Sequence, residues 1–272
     1  IRREICLTLE EMGISPETSH HEQGPGQNEI DFRCSGALEA ADNLITFKTV
    51  VKTAAAGNGL YASFMPKPLA GHSGNGLHVN LSLLRSGRNI FDKESGNAAE
   101  ADSFIAGLLA RICEITAFLN PLTNSYLRLG GSKAPKYVTW SRQNRSQLIR
   151  IPAASGAQSR IELRSPDPAC NPYLAFALLL HAGLDGIEQG LSLQPETDRN
   201  LYELSDEEAA SYAALPESLD DALALAQNSS YVAAHVPEVL LEKYAEQKQS
   251  ELARVAGKDR QKAEHALYFH RI

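Results

Sequence analysis

The stretch Arg142–Arg164, RQNRSQLIRIPAASGAQSRIELR, constrains this chain more than any other. It carries five arginines (Arg142, Arg145, Arg150, Arg160 and Arg164) and a single carboxylate, Glu162. Its last five residues alternate as a β-strand does, with Arg160, Glu162 and Arg164 on one face and Ile161 and Leu163 on the other. Such a strand lays its apolar face on a core and presents an Arg-Glu-Arg row on its open side. Guanidinium forks suit phosphate and carboxylate oxygens, and Glu162 adds a ligand for a cation. The same row also suits a salt-bridged, solvated sheet face, so the remainder of the chain has to decide.

The 272 residues suffice for one large domain or two smaller ones. A formal net charge of -7, without a long basic run, argues against nucleic acid as the main partner. The arginine cluster is therefore local positive charge in an acidic protein, which fits a small anion. Four cysteines (Cys6, Cys34, Cys113, Cys170), none in a C-x-x-C pair, read as reduced, mostly packed thiols of a cytoplasmic protein. No apolar run reaches membrane-spanning length and no signal peptide opens the chain, so no membrane partner is expected. The opening, IRREICLTLEEMG, has neither Met nor an N-cap and reads as a helix entered mid-course, with Ile1, Ile5, Leu9 and Met12 on one face. The chain is expected to be a fragment of a longer protein.

Local patterns predict an α+β fold: a curved antiparallel sheet backed by helices, then a helical C-terminal tail. Residues 18–33 read as two strands around the turn Gly24-Pro25-Gly26, and 37–56 as a helix. Strands are expected over 60–67 and 77–84, separated by the glycine-rich run 71–76, and over 137–151. Phe104, Leu108, Ile112, Ile115 and Leu119 keep helical spacing. Asn171-Pro172 is a good N-cap and first-turn pair for a central apolar helix. Composition changes near 194, dividing a core at 1–194 from a charged helical segment at 195–272 of the same domain, where Ser218–Asp221 resembles a capping box.

Three further segments carry metal-type ligands in strand-like surroundings. His20-His21-Glu22 precedes the turn, and Glu29 and Asp31 alternate with Ile30 and Phe32 after it. His78, Asn80 and Ser82 alternate with Val79 and Leu81. If these open faces share a surface with Glu162, carboxylates and an imidazole converge and repel one another unless cations neutralise them. Mostly oxygen ligands favour Mg²⁺ or Mn²⁺ over Zn²⁺. No Walker A loop occurs, so a nucleotide would be held by arginines and metal rather than by a glycine-rich loop at a helix end.

At this point the chain closely resembles the C-terminal catalytic domain of bacterial-type glutamine synthetases. The resemblance rests on HHEQGPGQNEI (20–30), FMPKP and GLHVNLS (64–82), NPLTNSYLRL (120–129), NRSQLIRIP (144–152) and RIELRSPDPACNPYLAF (160–176). It implies an ATP-dependent ligase that phosphorylates the side-chain carboxylate of glutamate and lets ammonia displace the phosphate, with two or three Mg²⁺ or Mn²⁺ ions. By position, Glu22 and Glu29 match ligands of one metal, and His78 and Glu162 ligands of a second. Arg128 and Arg164 match the clamp on substrate glutamate, and Gly74 a backbone contact to its amino-acid end. Arg145, Arg150 and Arg160 match arginines on the transferring phosphoryl group and ADP, with Asn80 and Ser82 at nucleotide contacts; Arg128, Arg145 and Arg164 are the expected catalytic arginines. The resemblance further implies a β-grasp-like N-terminal domain, absent from these residues, that completes the neighbouring subunit's site in a ring of six, stacked as twelve. The 272-residue chain alone is therefore expected not to turn over.

Some residues depart from the family pattern. Lys133, in Gly130-Gly-Ser-Lys-Ala-Pro135, stands where the family carries a glutamate that helps bind ammonium. Asn80 stands where many members have a second histidine, and Ser73 where many have asparagine. Lys133 leaves open a γ-glutamyl ligase that takes an organic amine or polyamine, or a non-catalytic paralogue. Tyr202 matches a tyrosine that some members adenylylate, and reads equally as an ordinary loop tyrosine.

Overall fold

The computed structural model describes residues 1–131 and 133–272, apart from the side chain of Asp206. Helix α1 (Arg2–Glu11) leads into a hairpin of β1 (Pro16–His21) and β2 (Asn28–Phe32), then α2 (Ala37–Gly57). Next come β3 (Val79–Leu81), a small hairpin of β4 (Leu84–Arg85) and β5 (Arg88–Asn89), and α3 (Ala98–Leu119). Strands β6 (Trp140–Arg142), β7 (Ile149–Ile151) and β8 (Ile161–Leu163) precede α4 (Pro172–Glu188). The rest is helical: α5 (Asp206–Ala209), α6 (Leu219–Gln227), α7 (Ser230–His235), α8 (Glu238–Val255) and α9 (Arg260–Tyr268). This is an α+β architecture, as the sequence predicts.

The strand content differs in three places. The central sheet has the order β3-β8-β7-β6, and while β8 runs antiparallel to both β3 and β7, β6 and β7 are parallel. The stretch 137–151 is thus two strands. Between them Asn144 Oδ1 accepts the amide and the hydroxyl of Ser146 at 3.0 and 2.9 Å, an Asx-type turn that interrupts the ladder. Residues 60–67 form no strand. Their backbone groups are satisfied elsewhere: the Phe64 N–H donates to the Ile272 carbonyl, and Lys67 exchanges two hydrogen bonds with the Asn124 amide. Pro66 and Pro68 remove ladder donors from the same stretch. The strand expected at 77–84 shortens to β3.

The lower face of the central sheet is apolar. Val79, Ile149, Ile161 and Leu163 pack with Phe104, Leu108 and Ile112 of α3, Leu178 and Leu179 of α4, and Leu219 and Leu223 of α6. Helices α3 and α4 meet backbone to backbone. A Cβ on Gly107 would lie 2.2 Å from the Ala182 carbonyl oxygen, and one on Gly183 would lie 2.2 Å from the Phe104 ring. Asn171 caps α4 by accepting the amides of Tyr173 and Leu174 at 3.0 and 3.3 Å. Ser218 caps α6 by accepting the Asp221 amide at 3.1 Å.

A smaller core of Ile5, Leu9, Ile14 and Val50, with Ile30 and Phe32 against it, holds the β1–β2 hairpin on α1 and α2. Ile1 and Met12, expected on the same face, are exposed at the two ends of α1. Among the described residues the four cysteines are free thiols, and no helix is long and apolar enough to cross a membrane.

Candidate active site

Strand register puts Asn80, Glu162 and Arg150 in one row across β3, β8 and β7. Because strand side chains alternate, this row lies on the face opposite the core. Arg150 donates its Nε–H to Glu162 Oε2 at 2.5 Å, and Arg164 donates to the same oxygen at 3.1 Å. The Nδ1 of His78 lies 3.3 Å from Glu162 Oε1. The centre of the row is not a solvated sheet face: Glu162 is 6% exposed and the adjoining Arg164 4%, while Asn80 at its edge is exposed. Burial pushes the Glu162 carboxyl up, but the Arg150 hydrogen bond, Arg164 and His78 together hold it below the ordinary glutamate value. Burial, then the charge of Arg164, lowers His78 to about 3 against the pull of Glu162. His78 therefore carries a neutral imidazole at physiological pH, the form that ligates a metal.

The hairpin supplies a second cluster. His20 stands opposite Glu29 in the β1–β2 register, and Glu22 follows at the start of the turn. The His20 Nε2 is 3.7 Å from Glu22 Oε1 and 3.9 Å from Glu29 Oε2, and ligand atoms of the three residues lie within 4.8 Å of one another. Burial raises the Glu29 carboxyl, and the charges of Asp31, Glu22 and Glu162 raise it further. Glu29 thus feels both clusters. Burial would raise Glu22 too, but the Gln23 amide, Lys133 and His20 outweigh it and leave it lowered. Two carboxylates and an imidazole at this spacing are a donor set that fits Mg²⁺ or Mn²⁺.

The loop that contains Lys133 joins the clusters. Lys133 Nζ lies 3.5 Å from Glu22 Oε2, and its carbonyl accepts a hydrogen bond from Arg164 Nη2 at 3.3 Å. Lys133 has φ 64°, left-handed for a residue with a side chain.

Arg128 is buried beneath the glycine-rich loop. It donates to the carbonyls of Ser165 and Arg164 at 2.6 and 2.9 Å. A Cβ on Gly74 would lie 2.8 Å from Arg128 Cγ, and one on Gly76 would lie 2.5 Å from its Nη2. Only glycine allows the loop this close. Burial lowers Arg128 to about 10, although the nearby Asp167 charge opposes the change. Gln27 donates to the Gly74 carbonyl at 2.9 Å and so ties the hairpin turn to the glycine loop.

The remaining expected residues spread outward. Arg160 donates its Nε–H to Asn80 Oδ1 at 3.1 Å. Ser82 is exposed just past the end of β3. Arg145 is exposed in the loop before β7, where its backbone carbonyl accepts the Tyr202 hydroxyl at 3.2 Å.

The sequence marks His20 only as one of the metal-type residues in His20-His21-Glu22; hairpin register, which sets it opposite Glu29, places it in the cluster. One residue escapes a reading of the sequence. Asp167 is fully buried, accepts from Asn120 Nδ2 and the Ala169 amide at 3.0 Å each, and places a negative charge near Arg128. No periodicity marks it.

A family model described as glutamine synthetase, catalytic domain, matches residues 1–268. The chain is 50% identical over 238 residues to a glutamine synthetase of Methanosarcina mazei, covering 85% of this chain and 53% of that protein. It is 53% identical over 211 residues to one of Clostridium saccharobutylicum, covering 76% of this chain and 48% of that protein. Among solved structures it resembles a GmaS/ADP complex, with a TM-score of 0.83 and 35% identity over 92% of this chain and 59% of that one. GmaS without ligand gives 0.82 at 37% identity, over 92% of this chain and 58% of that one. The chain spans about half the length of the curated relatives it matches. With the family model matching nearly every residue and relatives this similar, the chain belongs to the glutamine synthetase family and carries its catalytic domain.

Proposed function

We propose that the whole protein is an ATP-dependent ligase that condenses L-glutamate with ammonia through a γ-glutamyl phosphate. One observation carries this reading: His78 and a buried Glu162 lie among Arg150 and Arg164, beside a hairpin cluster of His20, Glu22 and Glu29. Glu22 and Glu29, with His20, would hold one Mg²⁺ or Mn²⁺ ion, and His78 with Glu162 a second. When bound, these ions would neutralise phosphate charge and polarise the transferring phosphoryl group.

The chain's own groups do the rest. Arg164 and Arg128 hold the carboxylates of glutamate, with the Gly74 backbone at its amino-acid end. Arg150 and Arg160 face the nucleotide phosphates, Asn80 and Ser82 line its path, and Arg145 swings in from its loop to the phosphoryl group. Guanidinium groups fixed before the reaction lower the barrier without reorganising during it. A nucleotide ligand agrees with the ADP named for the GmaS complex. The protein works in the cytoplasm as a homo-oligomer, a ring of six stacked as twelve, with the neighbouring subunit completing each site.

A second reading takes an organic amine as acceptor. The ammonium of Lys133, 3.5 Å from Glu22, supports it, since it stands where the family carries a glutamate that helps bind ammonium, and a changed flap suits a different acceptor. Phosphate release by the full-length protein, measured with glutamate, ATP and a panel of ammonia, short alkylamines and polyamines, separates the two. Turnover with ammonia supports the first reading, and turnover with an organic amine alone supports the second. No turnover and no ADP binding with any amine would make the chain a non-catalytic paralogue. In the same assay Lys133→Glu is expected to raise activity with ammonia, and an unchanged profile would place Lys133 outside the acceptor site.

A further inference from the structure

We infer that the Lys133 ammonium is a tethered counter-cation of the His20–Glu22–Glu29 cluster that competes with a divalent ion for it. The inference deepens the metal-binding reading above and rests on it.

The geometry argues for a built contact. The backbone around Lys133 is held on both sides: Gly130 donates to the Pro135 carbonyl at 3.2 Å, Ala134 to the Gly131 carbonyl at 3.1 Å, and Arg164 to the Lys133 carbonyl at 3.3 Å. A left-handed backbone, φ 64°, is unfavourable for a long side chain and persists only where surrounding contacts impose it. Held this way, the side chain reaches across to the hairpin, and Nζ stops 3.5 Å from Glu22 Oε2. That same oxygen accepts the Gln23 amide at 2.9 Å, while Oε1 faces His20. The cluster therefore meets its own cation on the outer oxygen of Glu22. Glu29 makes no lysine or arginine ion pair among the described residues, and the His20 Nε2 lies 3.9 Å from its Oε2.

The contact is also built to open. The Lys133 side chain is 45% exposed, so its ammonium can return to water at small cost, and its four-carbon stem moves without shifting the loop backbone. A divalent ion on Glu22 and an ammonium 3.5 Å from its Oε2 repel each other, so ion binding and the lysine contact oppose each other.

The test is Mn²⁺ binding to the full-length protein, followed by the electron paramagnetic resonance signal of free Mn²⁺, for wild type, Lys133→Gln, Glu22→Gln and the double variant. Tighter binding of the first ion by Lys133→Gln, about fivefold, with no such gain in the Glu22→Gln background, supports the inference. Equal affinities for wild type and Lys133→Gln, with Glu22→Gln weaker than both, overturn the inference and leave the metal site standing. Binding that is unaffected by Glu22→Gln overturns the metal reading and the inference with it. Reductive methylation of wild type, read by mass spectrometry, is independent of any variant. Labelling of Lys133 is expected to rise when Mn²⁺ is added, and labelling that stays the same counts against competition.

Discussion

Arg150 and Glu162 are direct cross-strand partners whose side chains meet at 2.5 Å on the upper face of the central sheet. The pair is charge-assisted, and Arg164 makes it a triad by reaching the same oxygen at 3.1 Å. Two arginines share one carboxylate, so the group carries net positive charge before any anion arrives.

Glu162→Gln keeps the shape but removes the charge that both arginines use. In the full-length protein kcat/KM is expected to fall by at least ~100-fold, with the circular dichroism spectrum unchanged. Coupled phosphate-release kinetics provide the check. A loss of less than about threefold would take Glu162 out of the chemistry.

Gly74→Ala forces a methyl group into Arg128 Cγ at 2.8 Å and the Pro66 carbonyl at 2.9 Å. The glycine loop has to lift off the arginine. KM for glutamate is expected to rise about tenfold or more, since displacement by about 1 Å is costly at a binding site. Stability is expected to change less than KM does, and thermal unfolding alongside the kinetics compares the two.

Lys48 is a pH probe away from the carboxylate and histidine clusters. Its ammonium donates to the Pro168 carbonyl, and burial lowers its pKa from the ordinary lysine value of 10.5, with Cys170 and Asp167 opposing the change. A lysine lowered in the folded state adds stability that is present above 10.5 and lost as pH falls through the lowered value. Wild type should therefore gain on Lys48→Met as pH rises toward 10.5. Each pH unit of lowering is worth about 1.4 kcal/mol. Denaturant unfolding of both proteins from neutral to alkaline pH reads the difference, and a constant difference would refute the expectation.

Asn171→Ala removes the two amide partners at the start of α4. The cost is expected to be about 1 kcal/mol, seen as a lower denaturant midpoint with an unchanged slope. A variant as stable as wild type would mean that water replaces the cap.

Much of this was legible in the residues because alternation and helical spacing report directly on burial. Val79, Leu81, Ile161 and Leu163 announce the lower face of the sheet, and Phe104 to Leu119 the face of α3. The row of His78, Asn80 and Glu162 follows from the same alternation. Other features depend on contacts far apart in the chain. The segment 60–67 looks like a strand, but its partners are Asn124 and the last residue of the chain, Ile272. The turn at Asn144 is one side chain competing for backbone donors, which no period reveals. His20 becomes part of a cluster only through hairpin register, and Asp167 matters only because Arg128 folds over it. Lys133 stood out by its charge, yet its reach to Glu22 is a matter of loop conformation.

The touching backbones of α3 and α4 divide this molecule into parts that evolution can and cannot edit. Even a methyl group at Gly107 or Gly183 would wedge the two helices apart and tilt the sheet above them, so the scaffold offers no room for gradual adjustment there. Change is pushed outward, into loops such as the one bearing Lys133, where a single exchange redraws the charge beside Glu22 and leaves the frame untouched.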